Sequence, residues 1–82
     1  MKSFNTIRYN YKMTNNKLFV FDKKGFFIKK ILLPYGKDLI SFHGYCIENT
    51  LLKIVFWTNY NYLSIATLNE ETFEFSDWGL TK

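Results

Sequence analysis

One cysteine, one proline, one histidine and four glycines are all that this 82-residue chain holds of the residues that staple, kink or commonly catalyse. With Cys46 alone there is no internal disulfide. One Cys and one His cannot complete a structural tetrahedral zinc site, so no metal is expected. Gly25, Gly36, Gly44 and Gly79 are too scattered to form a phosphate-cradling loop, and no cofactor signature appears. No stretch approaches the roughly 18 apolar residues of a membrane-spanning helix, because Lys53, Asn59 and Asn61 interrupt the longest apolar region. Met1-Lys-Ser-Phe-Asn5 has no apolar run behind it, so no secretory leader is expected. Together with the lone thiol, this predicts a soluble protein of the reducing cytoplasm.

Catalytic groups are equally thin. A Cys-His nucleophile pair needs its side chains within hydrogen-bond reach, yet on a regular strand His43 and Cys46 point to opposite faces unless Gly44 carries a bulge. The residues read instead as a buried free thiol beside a partly exposed imidazole. Glu48, Glu70, Glu71, Glu74 and Asp77 supply carboxylates for a glycosidase pair, but Glu70 and Glu71 fall in a turn and Glu74 on the outer side of a strand. No catalytic residue is assigned and no enzymatic activity is expected.

Aromatic residues are abundant, with nine Phe, six Tyr and two Trp. A core of this size cannot hide them all, so several rings belong at the surface, where they cover sheet faces, pair two copies in a homodimer or recognise a partner. Charge is unevenly placed. Residues 1 to 41 hold nine Lys/Arg against Asp22 and Asp38, giving +7, whereas residues 42 to 82 hold Lys53 and Lys82 against five acids, giving −3.

The organising stretch is Leu51 to Leu68, two runs of β-branched and aromatic residues flanking Thr58-Asn-Tyr-Asn61, which reads as a β-hairpin. Its first arm is apolar on both faces, with Leu52, Ile54 and Phe56 one way and Leu51, Val55 and Trp57 the other. Before it, Ile7 to Met13 alternates as a half-buried strand. Thr14-Asn-Asn16 turns, and Lys17 to Phe21 forms a strand apolar on both faces. Asp22-Lys-Lys-Gly25 fits a type I turn with a bulge. A third strand runs from Phe26 to about Leu33 and ends at Pro34, which opens a turn through Lys37. Leu39 to Glu48 reads as one long strand bent at Gly44, and Asn49-Thr50 as a tight turn. After the hairpin, Asn69-Glu-Glu71 turns into a last strand, Thr72 to Ser76, with Phe73 and Phe75 inward. Asp77 to Leu80 closes the chain, with Trp78 plugging one end of the core. The expectation is a single all-β domain over residues 1–82, an antiparallel meander of about seven strands curled into a barrel or sandwich.

Lys17-Leu-Phe-Val-Phe-Asp-Lys-Lys-Gly-Phe-Phe-Ile-Lys-Lys-Ile31 resembles the two-strand repeat of β-propellers, in which a hydrophobic-Val-x-Asp-x-x-Gly pattern leads into a second strand. The likeness covers about fifteen residues. A propeller takes at least four blades of four strands, and this chain supplies at most two, so no family is assigned on it.

Two functional readings follow. The leading one is a non-catalytic protein-binding module, of the build of small inhibitors or immunity proteins that block a partner enzyme or toxin. Trp57, Tyr60, Tyr62 and Trp78 are its expected anchors, with Glu70, Glu71 and Glu74 facing a basic cleft on the partner. The alternative is a small β-barrel that holds single-stranded nucleic acid through its basic first half, with Arg8, Lys12, Lys17, Lys29 and Lys30 as cations and Tyr9, Tyr11, Phe19 and Phe27 as rings. Against the alternative, rings and cations of the first strand lie on opposite faces, whereas a stacking platform needs them side by side.

Overall fold

The computed structural model describes residues 1–36 and 38–81. Lys37, the last residue of the expected Pro34 turn, and Lys82 lie outside the described residues. Eight strands follow in order: β1 (Lys2–Asn5), β2 (Asn10–Met13), β3 (Lys17–Phe21), β4 (Phe27–Leu32), β5 (Leu39–Glu48), β6 (Leu51–Thr58), β7 (Leu63–Leu68) and β8 (Phe75–Thr81). All pairings are antiparallel between sequence neighbours, and they form two four-stranded sheets, β1-β2-β3-β4 and β5-β6-β7-β8. No helix occurs among the described residues. The all-β antiparallel meander is as expected. Of the two expected packings, barrel or sandwich, the chain takes two separate sheets rather than a closed barrel, with eight strands where about seven were expected.

Turn chemistry explains the pairing. Asp22 accepts from the Lys24 and Phe26 amides through its carboxylate, while Gly25 donates to the Asp22 carbonyl and takes φ 94°. This is the short bulged turn that fixes the β3–β4 register, and it lies within the propeller-like stretch. Asn49 and Thr50 both adopt positive φ, 51° and 64°, as a two-residue hairpin between twisted strands requires. Two differences from the sequence reading have local causes. The strand expected from Ile7 to Met13 is β2 and starts only at Asn10, because the Thr6 hydroxyl accepts from the Arg8 and Tyr9 amides and holds residues 6–9 as a turn, with the unexpected β1 before it. The last strand starts at Phe75 rather than Thr72, because the Asn69 side chain accepts from the Glu71 and Thr72 amides and Phe73 takes φ 59° in that turn.

Each sheet dries one face against the other. From the first come Phe4, Tyr11, Met13, Leu18, Val20 and Ile31; from the second come Phe42, Leu52, Ile54, Phe56, Ala66 and Leu68. Alternation along β3 (Leu18 and Val20 buried, Lys17, Phe19 and Phe21 half-buried) and along β6 (Leu52, Ile54, Phe56 and Thr58 buried) identifies the inner faces. Phe56 is the hub of the second sheet, with ring centroids 5.3 Å from Phe42, 5.4 Å from Phe75 and 5.2 Å from Trp78. Across the sheets the Phe4 and Tyr45 rings stack at 4.0 Å.

Because Phe56 is fully buried and touched by three rings, Phe56→Ala leaves a cavity costing about 3–5 kcal/mol, most of the stability of a domain this small. Thermal unfolding followed by circular dichroism is expected to lose its cooperative transition near room temperature. A melting point within a few degrees of the parent would contradict this packing.

Candidate functional site

The registers sort the paired residues of the first sheet onto two faces, leaving out Ile28 at the register shift opposite Val20 and Phe21. On the inner face, Phe4 stands opposite Tyr11, Tyr11 opposite Val20 and Val20 opposite Lys29. On the outer face, Ser3 stands opposite Lys12, Lys12 opposite Phe19 and Phe19 opposite Lys30. The next outer row is Asn5, Asn10, Phe21 and Phe27, and Lys17 stands opposite Leu32. Phe19 is thus flanked by a lysine on each side. Lys12 also reaches over the Phe21 ring, its ammonium 5.6 Å from the centroid. A hollow of about 460 Å³, lined in part by Ser3, Asn5, Asn10, Lys12, Phe21 and Gly25, dents this face. No acidic residue occurs in β1 to β4.

The five cations expected at a nucleic-acid site therefore divide. Lys12, Lys17 and Lys30 share the outer face. Lys29 belongs to the inner row and lies over the Phe73 ring at 5.9 Å. Arg8 sits in the β1–β2 turn, 3.7 Å from the Glu71 carboxylate. The expected rings divide too: Tyr11 is core, Tyr9 packs on Phe73, and Phe19 and Phe27 remain on the platform, joined by Phe21.

The residues expected to anchor a protein partner are also spread. Trp57 is 38% exposed, beside His43, on the outer face of the second sheet. Tyr60 and Tyr62 stack at 5.9 Å in the β6–β7 turn. Trp78 lies on the inner face, against Phe56 and Phe75. It lines, with Tyr62 and Leu80, a hollow of about 220 Å³. The acidic residues occupy the β7–β8 turn, at the far end of β7 from the tyrosines. Two of them are engaged within the chain. Glu70 Oε2 accepts from the Tyr11 hydroxyl at 2.5 Å and from the Thr6 hydroxyl at 2.6 Å, and Glu71 pairs with Arg8. Glu74 is left at the surface.

Cys46 is half-buried, not buried, and His43 is exposed at a bulge between Phe42 and Gly44, where a break in register was expected. Among the described residues no group of three or more His, Cys, Asp or Glu is gathered to hold a metal. No protein-family model, curated protein or solved structure matches the chain.

Two features of the outer face were within reach of sequence reasoning and were missed. Phe21 belongs with Phe19 by simple alternation along β3. Lysines of β2 join rings of β3 on one face because cross-strand partners share a face, a relation that reading one strand at a time does not reveal.

Burial and the bond to Glu70 together shift the titration of Tyr11. Burial first, then donation to the Glu70 carboxylate and its charge, push the Tyr11 phenol well above its ordinary value of about 10. Below pH 10 the phenol is protonated in both folded and unfolded chains and contributes no pH dependence. Above it the unfolded chain loses the proton and the folded chain keeps it, so stability falls by about 1.4 kcal/mol per pH unit from this group. Tyr11→Phe is expected to lose about 1–2 kcal/mol at pH 7 and to show a decline above pH 10 shallower by that one proton. Equal alkaline slopes in urea titrations of the two proteins would refute the coupling.

Proposed function

We propose that the chain is a non-catalytic binding module and that the outer face of its first sheet holds a single-stranded nucleic acid. One observation carries the reading: the cross-strand row Lys12, Phe19, Lys30, set beside Phe21 and Phe27 on strands without a carboxylate. Aromatic rings give a sequence-tolerant surface for base stacking, and lysines among them neutralise the phosphates that connect the bases. Separation of rings and cations on the first strand argued against this role from sequence. Pairing between strands supplies what that strand lacks. The excess of lysines over carboxylates on these strands makes a polyanion a better complement than an apolar surface.

A second reading, a protein partner such as an enzyme or toxin, draws on the exposed Tyr60 stacked on half-buried Tyr62 beside the hollow at Trp78 and Leu80. Its acidic half is weakened, because Glu70 and Glu71 already have partners within the chain.

Fluorescence anisotropy with a labelled oligothymidylate tests the proposal. Binding is expected to weaken with salt at a logarithmic slope of about −2, since three lysines each release roughly 0.7 counterion from a single strand. The double change Lys12→Glu and Lys30→Glu is expected to cost more than about tenfold, and Phe27→Ala about 1 kcal/mol or more. Arg8→Glu and Lys29→Glu, which are off this face, are expected to change affinity much less. Absence of binding at low salt, or equal losses from all four charge reversals, would overturn the assignment.

A further inference from the structure

A second concave site lies where the two sheets meet, away from the outer row of lysines and rings. β5 is irregular twice within six residues, its register shifting between Leu39 and Ser41 and again between Phe42 and Gly44. Bulges of this kind re-aim side chains and concentrate beside functional sites. Ser41, Phe42 and His43, the residues at these two breaks, line an open cleft of about 670 Å³ together with Lys2, Asn15 and Trp57 among others. That volume is in the range of small-ligand sites.

The walls come from both sheets and are tied together. The Phe42 amide, in the bulged segment, donates to the Asn15 carbonyl in the β2–β3 turn at 2.7 Å. The second bulge sets the His43 imidazole 6.0 Å from the Trp57 indole, with 31° between the ring planes. Lys2 approaches from β1. Its ammonium lies 3.7 Å from where a Cβ on Gly44 would stand, an ordinary van der Waals distance that places the Lys2 side chain against β5. One wall therefore offers an exposed indole, the best stacking surface among side chains. A lysine ammonium and an imidazole lie close by, with the Asn15 amide and the Ser41 hydroxyl as further hydrogen-bonding groups.

We infer that this cleft binds a nucleobase carrying a phosphate, with the base stacked on Trp57 and the phosphate held by Lys2 and His43. The inference does not depend on the strand-binding face, because none of Lys12, Phe19, Phe27 or Lys30 lines the cleft. The same chemistry is offered by a free mononucleotide and by the phosphorylated end of a strand. Room for a whole nucleotide and a single nearby lysine favour the free mononucleotide as ligand.

Titration of the full chain with uridine 5′-monophosphate, read by the side-chain NMR signals of Trp57 and His43, tests it. Saturable shifts of both are expected. Uridine and inorganic phosphate, each with half of the recognition chemistry, are expected to bind at least about tenfold more weakly, a difference of about 1.4 kcal/mol. Lys2→Ala is expected to weaken the nucleotide about tenfold through loss of one charge-assisted contact. Trp57→Ala is expected to remove the preference for the nucleotide over phosphate alone. The double change Lys12→Glu and Lys30→Glu is expected to leave the titration unchanged, which separates failure of this site from failure of the strand-binding face. The inference is overturned if the nucleotide shifts neither residue at millimolar concentration, or if phosphate binds as well as the nucleotide. It is also overturned if only a 5′-phosphorylated oligonucleotide, and not the mononucleotide, shifts Trp57.

Discussion

Neither four-stranded sheet can be stable alone, because each has an apolar face with nothing of its own to cover it, and burying those two faces together is what every other feature depends on. Leu18 and Val20 from one sheet and Ile54, Phe56 and Ala66 from the other are fully withdrawn from water. Hydrogen bonds then tie the layers at opposite ends. Glu70 gathers the hydroxyls of Tyr11 and Thr6 at one end, and the Asn15 carbonyl accepts the Phe42 amide at the other. A carboxylate at the edge of the core is tolerable because two donors satisfy one of its oxygens, which commits that oxygen to bonds within the chain.

Once the inner faces are committed, the outward faces are what each sheet presents to solvent. They differ in chemistry because the chain divides its charge. The outer face of the first sheet interleaves lysines with phenylalanines, whereas that of the second carries half-buried Val55, Leu63 and Ile65 beside Trp57. On the first, cations keep exposed rings from being a purely adhesive patch, and Lys29 and Lys30 also blunt edge strand β4, whose Phe27, Ile28 and Leu32 are exposed. One set of lysines thus serves solubility and, on the reading above, phosphate recognition.

Much of the fold was legible from local pattern. Alternation at Leu52, Ile54 and Phe56 marked β6, although two apolar faces left open which one is inner, Asp22 to Gly25 marked the β3–β4 turn, and Gly44 marked the break in β5. What was not legible is long-range. β1, Lys-Ser-Phe-Asn, contributes one apolar residue and has no periodicity to reveal it; it pairs because β2 offers an edge and Phe4 finds Tyr11 and Tyr45. The passage from one sheet to the next falls between Leu32 and Leu39, where Pro34 marks a turn but nothing local says that pairing stops. The candidate sites follow the same rule. Individual cations and rings could be named from sequence, but which of them share a face depends on strand registers. The split between Lys12 and Lys30 on one face and Lys29 on the other follows from those registers.

The central claim is that the outer face of the first sheet is the strand-binding surface. The most direct measurement is a backbone and side-chain NMR shift map of the isotope-labelled protein on adding an unphosphorylated oligothymidylate. The account predicts shifts concentrated on Lys12, Phe19, Phe21, Phe27 and Lys30, with the Tyr60–Tyr62 turn unmoved. Shifts centred on Tyr60, Tyr62 and Leu80, or spread evenly over all lysines including Lys29 and Lys53, would contradict it.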